Sequence, residues 1–262
     1  MSSIWLLVQE YVAIVGILWK AREGYPLLEL PSLQAWWSHK YGWVELTGVS
    51  IDSIQDSWPW FCLHTFLYVG QLIPFTVIVL CEASQPLRTV AALAVSSCFC
   101  GFAAAMPLVS LWILGGRQHK QSQQWTSERR RLFLSSMLYL SAATHLGAFF
   151  VALMATWAPA LMGSYAAPLH VMNSLAGVPR TAHGISAAAI REARLRQINE
   201  MTGTSSGFFM TAGLLGRTLE SRGRRMTLRL LTWMFLVSLV AGPAAGGAAV
   251  ILLRDFMERK LG

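Results

Sequence analysis

Long apolar blocks separated by short arginine-rich runs constrain this chain more than any other feature. Pro59 to Cys81, Thr89 to Gly115, Leu132 to Met162 and Leu228 to Leu253 are such blocks. Each reaches the length of roughly 20 residues that a helix needs to cross a hydrocarbon core of about 30 Å. Only 13% of the residues are charged and 54% are hydrophobic, where a soluble domain carries about 25% charged residues. Inside lipid a backbone must satisfy its own hydrogen bonds, so blocks of this length predict helices. The expected fold is all-α: one polytopic transmembrane helical bundle over residues 1–262, with about five to seven membrane segments. This excludes a disordered chain, a disulfide scaffold and almost any soluble enzyme.

The remaining segments are less regular. Ile4 to Trp19 is apolar, lacks a basic start and a small-residue cleavage site, and reads as a first membrane or interfacial helix. Residues 20–58 carry Trp36, Trp37, Trp43 and Trp58, which suits a loop lying at the headgroups. Glu82 to Arg88 is a tight turn, and Pro107 predicts a kink in the Thr89 block. The Leu132 block is expected to tilt or break near Pro159. Ile185 to Met201 reads as a helix, and Ser206 to Leu219 as a re-entrant helix or a tilted span. The Leu228 block is interrupted by Gly242, Pro243, Gly246 and Gly247.

The net charge is +8, and its distribution argues against nucleic acid. Arginines cluster between apolar blocks, at Arg129 to Arg131 and Arg222 to Arg225, and no base-reading motif accompanies them. If all six apolar segments cross, the loops at 20–58, 116–131 and 217–229 share a side and hold 13 Arg and Lys against 8 elsewhere. The positive-inside rule then predicts a cytoplasmic position for those loops and an external N-terminus. The four cysteines lie inside apolar blocks, where they act as small packing residues.

Ionisable and polar groups within membrane blocks are the candidates for chemistry, because burying them is costly. His64, Tyr68 and Gln71 fall at i, i+4 and i+7, on one helix face, and Trp60 and Phe75 extend that side. The face is either the wall of a polar substrate pocket or a seam of interhelical hydrogen bonds. His145 lies at the centre of the Leu132 block, one turn after Ser141, as a site residue or a packing residue. Glu200 precedes a short glycine-dotted segment, where it is either a pocket acid or the partner of Arg196 one turn back. Asp255 sits between Arg254 and Glu258, and a surface ion pair is the simpler reading. Asp56 lies in the aromatic loop, where a helix cap or solvent accounts for it. Glu82 is expected to pair with Arg88.

HExxH, GxxxxGK[ST] and aspartate-rich diphosphate motifs are all absent. No metal and no cofactor is expected, and any chemistry is expected to be acid–base.

Three elements carry a family resemblance: Gly70-Gln71-Leu72-Ile73-Pro74, Ala143-Thr144-His145, and Val240-Ala241-Gly242-Pro243 running on to Arg254-Asp255. Together they resemble the small fungal membrane-bound terpene cyclases of meroterpenoid pathways, of the ascofuranone and ascochlorin cyclase type. The membrane proteins of indole-diterpene clusters look similar too. The likeness covers about half of the chain in short motifs. Where that family has a Gln-x-Asp element, this chain has Gln197-Ile198-Asn199-Glu200, with Glu for Asp and a one-residue shift.

The resemblance implies a prenylated aromatic or indole substrate, often with a terminal epoxide, whose cyclisation is started by a proton. On that reading Glu200 is the expected acid, with Asp255 and Asp56 as alternatives and His145 as a further catalytic candidate. His64, Tyr68, Gln71, Trp60 and Phe75 would line the substrate pocket. A carboxyl in an apolar cavity stays protonated near neutral pH, and aromatic faces stabilise a cation by about 0.5 to 2 kcal/mol each. The expected partners are a lipophilic prenylated small molecule and the bilayer, with no nucleic acid. The expected location is the endoplasmic reticulum membrane. The alternatives are a non-catalytic subunit of a membrane complex and a small transporter.

Overall fold

Apolar blocks become helices here, and the computed structural model is helical throughout its described residues, which are 2–25, 51–116, 127–171 and 187–261. The side chains of residues 51–62 lie outside the described part. Four helices are long: α1 (Ser2–Arg22), α2 (Ile51–Glu82), a third of 31 residues and a fourth of 34. Between the first and last pairs sit shorter helices that double back. α3 (Pro86–Cys100) and α4 (Phe102–Gly115) follow α2. Next come the third long helix α5 (Ser127–Trp157), short turns α6 (Pro159–Met162) and α7 (Ala166–Leu169), and the fourth long helix α8 (Ala187–Glu220). α9 (Leu228–Ala241) and α10 (Pro243–Leu261) close the fold.

By length and composition, two of these helices qualify to cross a membrane, at Ser3–Arg22 and Glu128–Trp157. The break after α5 falls at Ala158, as Pro159 requires. Ile185–Met201 and Ser206–Leu219, read separately in the sequence, merge into the single helix α8.

Two sequence expectations fail on the same physical point. The Thr89–Gly115 and Leu228–Leu253 blocks are not single spans but antiparallel helical hairpins. The first reverses at Gly101 and the second at Gly242, with φ of +76° and +93°. A side chain at such φ clashes with its own backbone, so glycine is what permits each reversal. The antiparallel course of the second hairpin is fixed by its contacts. A β-carbon on Gly246 would overlap Ser238, and Met234 packs in one cluster with Val250. In the first hairpin Leu93 shares a buried cluster with Met106 and Val109. Pro107 sits buried inside α4, so the reversal comes from Gly101 rather than from the proline.

α8 is the central post, packing against α1, α2, α4 and α10. The main cluster joins Phe75, Ile78 and Val79 of α2 to Leu93, Phe102, Met106, Leu134, Met210 and Ile251. α1 and α8 run antiparallel: Gln9 bonds to Ser206, and Glu23 pairs with Arg194 at 2.5 Å. At the other end Glu82, Arg130 and Asp255 meet, close to the start of α5 and the end of α10. The end of α1 and the start of α5 therefore occupy opposite ends of the bundle. The sequence-based grouping of loops 20–58 and 116–131 on one side is overturned, because each hairpin returns to the end from which it left.

Candidate functional site

The site is built where α2 faces α8. Arg196, Glu200 and Gly203 fall at i, i+4 and i+7 on α8, which gives them one face. A β-carbon on Gly203 would overlap the Phe102 ring, and one on Gly207 would overlap Phe75, so both rings lie directly on the α8 backbone. Tyr68 meets Phe102 edge-on, with ring centroids 6.4 Å apart and planes at 90°. Arg196 lies within electrostatic reach of His64. Helical periodicity puts Glu200 between Arg196 and Gly203. His64 and Phe75 are buried, and Tyr68 and Glu200 are partly buried. Among the described residues Glu200 has neither an ion pair nor a hydrogen bond. Of the two readings of the sequence, the ion pair with Arg196 does not form, and the carboxyl sits one helical turn from Gly203, where the Phe102 ring lies.

Gln71 belongs to the same sequence face but to a different interface. Its Oε1 accepts from Ala244 N at 2.9 Å and from Ser141 Oγ at 3.1 Å, while Ser141 Oγ accepts from Ala245 N at 3.0 Å. These side chains satisfy two of the orphan N–H groups at the start of α10. His145 Nε2 donates to the Leu239 carbonyl at 3.2 Å, near the end of α9. Gln71, Ser141 and His145 thus clasp the tip of the second hairpin, whereas His64, Tyr68 and Phe75 turn toward α8 and α4.

The first hairpin tip is held by residues that the sequence reading missed. Lys20 Nζ donates to the Cys100 carbonyl at 2.9 Å, and Asn199 Oδ1 accepts from Ala103 N at 3.1 Å. One caps the end of α3 and the other the start of α4. Asn199 is the neighbour of Glu200, so the same turn of α8 carries both the cap and the lone carboxyl. The sequence held no signal for these caps, because their partners lie about 80 and 96 positions away.

Asp255 forms the ion pair that is the simpler reading of the sequence. Its Oδ2 accepts from Arg130 Nε at 2.8 Å and its Oδ1 from Arg254 Nη2 at 3.0 Å. Glu82 accepts from Arg254 at 2.6 and 2.9 Å and also pairs with Arg130. Arg130 further donates to the Cys81 carbonyl at 3.1 Å. Two carboxylates and two guanidiniums neutralise one another in a largely buried cluster, not at an open surface. Glu82 pairs with Arg130 and Arg254, not with Arg88, which bonds to Gln85. A carboxylate held by two guanidiniums is a poor proton donor. Asp56 and Trp60 have side chains outside the described residues. No group of His, Cys, Asp and Glu that could hold a metal ion occurs among the described residues.

No protein-family model and no solved structure matches the chain. It is similar to Lolitrem B biosynthesis cluster protein S of Epichloe festucae (strain Fl1), with 41% identity over 276 residues that cover 98% of this chain and 96% of that protein. It is also similar to Indole-diterpene biosynthesis cluster protein S of Claviceps paspali, at 37% identity over 260 residues, 97% of this chain and 93% of that protein.

Proposed function

Because the chain belongs to the family of fungal indole-diterpene biosynthesis cluster proteins S, we propose that it is a membrane-embedded cyclase acting on the prenyl side chain of an indole precursor. Membership gives it a role in secondary metabolism, and the cyclisation is our reading of the site. The observation that carries it is the Glu200 carboxyl, without an ion pair or hydrogen bond among the described residues, one helical turn from Gly203, against which the Phe102 ring of the Tyr68–Phe102 pair lies.

In the proposed step the Glu200 proton passes to a terminal epoxide oxygen, or to an alkene carbon. The epoxide C–O bond opens to a hydroxyl, and the carbon left electron-poor is attacked by the next alkene along the chain. Each attack forms one ring bond and moves the positive charge onward. Tyr68 and Phe102 face the travelling cation and stabilise it by about 0.5 to 2 kcal/mol each. Loss of a proton from the last cation ends the sequence and balances the first transfer, so the product is an isomer of the substrate. Phe75 and His64 close the inner wall, which keeps water from the cation. Arg196 forms no ion pair with Glu200, which leaves the Glu200 proton available. The proposed location is the endoplasmic reticulum membrane, into which a prenylated substrate partitions.

The test is Glu200→Gln in purified protein given an epoxyprenyl indole. The amide keeps the shape but has no acidic proton, so turnover is expected to fall about 100-fold or more while the melting curve is kept. Near-wild-type turnover by a folded variant would exclude Glu200 as the acid. A wild-type protein that binds the substrate without turning it over would favour a non-catalytic subunit.

A further inference from the structure

α1, α2, α5 and α8 have 21, 32, 31 and 34 residues, by length alone enough to cross. α10 has 19, of which the last turns from Arg254 on belong to the charged cluster at Glu82. α3, α4 and α9 have 15, 14 and 14, or about 21 to 22 Å at 1.5 Å per residue, short of a core of about 30 Å. Both hairpins leave from and return to the end of the bundle marked by Glu82 and Arg130. Their tips stop partway along α2, near Tyr68 and Gln71. At each tip the backbone reversal is satisfied by side chains from the long helices, as lipid-depth irregular backbone requires.

The outer surface is apolar on several elements at once. Leu18, Phe66, Leu108, Phe150, Trp233 and Val240 are all 58% exposed or more. An apolar surface spread over α1, α2, α4, α5 and α9 is much larger than a soluble monomer carries. The hairpin-base end, by contrast, is arginine-rich. Arg129 and Arg131 at the start of α5 and Arg224 and Arg225 between α8 and α9 are exposed there.

We infer that a lipid bilayer covers this bundle with four crossings and two hairpins dipping in from one leaflet, and that the arginine-rich end lies against the anionic cytosolic leaflet. The charge is complementary to anionic headgroups and follows the positive-inside rule. Ser2 and Ser221 then share the cytosolic side, and Gly24 lies on the other. Glu200, near the Gly24 end of α8, belongs to the half of the bilayer away from the arginines. The inference concerns only how the protein sits in lipid, and it stands or falls independently of the cyclase reading.

Protease protection in sealed microsomes tests it with full-length protein carrying one short epitope: before Ser2, between Ser221 and Arg222, or after Gly24. Each variant is first checked for a wild-type melting curve, and the untagged protein is probed in parallel by cleavage at Arg222 to Arg225. The expected result is that the Ser2 and Ser221 epitopes are digested in intact vesicles while the Gly24 epitope survives until detergent is added. If the hairpins were full spans, Ser2 and Ser221 would lie on opposite sides and Gly24 would share the side of Ser221, which would overturn the topology. Protection of Ser2 and Ser221 with digestion of Gly24 would overturn the leaflet assignment.

Discussion

The two hairpins solve one backbone problem with different chemistry. Each reverses at a positive-φ glycine, and each has its tip capped on both sides by long-helix side chains. The second uses only neutral groups at its tip, Gln71, Ser141 and His145. Its charge is concentrated at the base, where Arg254 and Asp255 lock α10 to Glu82 and Arg130. The first has a cation, Lys20, and an amide, Asn199, at its tip, one residue from the lone Glu200. On the proposed function, the difference separates holding from acting. Charges that neutralise one another serve to anchor, and the charged tip is where a carboxyl is left without a partner.

The largest expected effect comes from unlocking the base of the second hairpin. Glu82→Ala leaves Arg130 and Arg254 to share the Asp255 carboxylate in a largely buried site, which should cost about 3 to 5 kcal/mol. Denaturant unfolding in detergent measures it, and a loss below about 1 kcal/mol would mean that the cluster does not anchor α10.

The tip glycines come next. Alanine at either position is strained by about 1 to 3 kcal/mol, and at Gly242 the new β-carbon also presses on Gln71 Nε2 at 3.0 Å and Ser141 Oγ at 3.1 Å. Gly101→Ala and Gly242→Ala should therefore each destabilise by about 1 kcal/mol or more in the same assay. An unchanged unfolding curve for either variant would contradict a reversal held by positive φ at that tip.

The caps should give the smallest effect. Asn199→Ala removes one acceptor from Ala103 N and should cost about 1 to 2 kcal/mol. Gln71→Ala strands Ala244 N and the Ser141 hydroxyl together, and should cost more, about 2 to 3 kcal/mol. Amide exchange at Ala103 and Ala244 reports each cap separately. Faster exchange at the wrong tip would contradict the assignment of either side chain.

The helices were legible in the sequence because apolar blocks of that length admit little else, and the break at Pro159 was legible because proline cannot continue a helix. The hairpins were not. One glycine within a long apolar run reads as a kink, and the run has the length of a single span. The reversal is decided by contacts such as Ser238 with Gly246, which no local pattern encodes. The face of His64, Tyr68 and Gln71 was legible as a face. Its division was not, because α5 and α10 claim Gln71 while α4 and α8 claim Tyr68. Spacing along α8 also allowed Arg196 to neutralise Glu200, but no ion pair forms between them, and Arg196 lies within electrostatic reach of His64. Asn199 and Lys20 gave no sign of their roles, since each acts on a backbone group far away in sequence.

The central claim is that this site isomerises a prenyl chain by proton transfer alone, and one incubation addresses it directly. Purified wild-type protein in detergent is given an epoxyprenyl indole, with and without EDTA, and the products are separated and weighed by mass spectrometry. The account predicts a product of unchanged mass with the epoxide consumed and rings formed, at the same rate in both samples. A product that differs in mass, a rate abolished by EDTA, or no consumption of substrate by folded protein would contradict it.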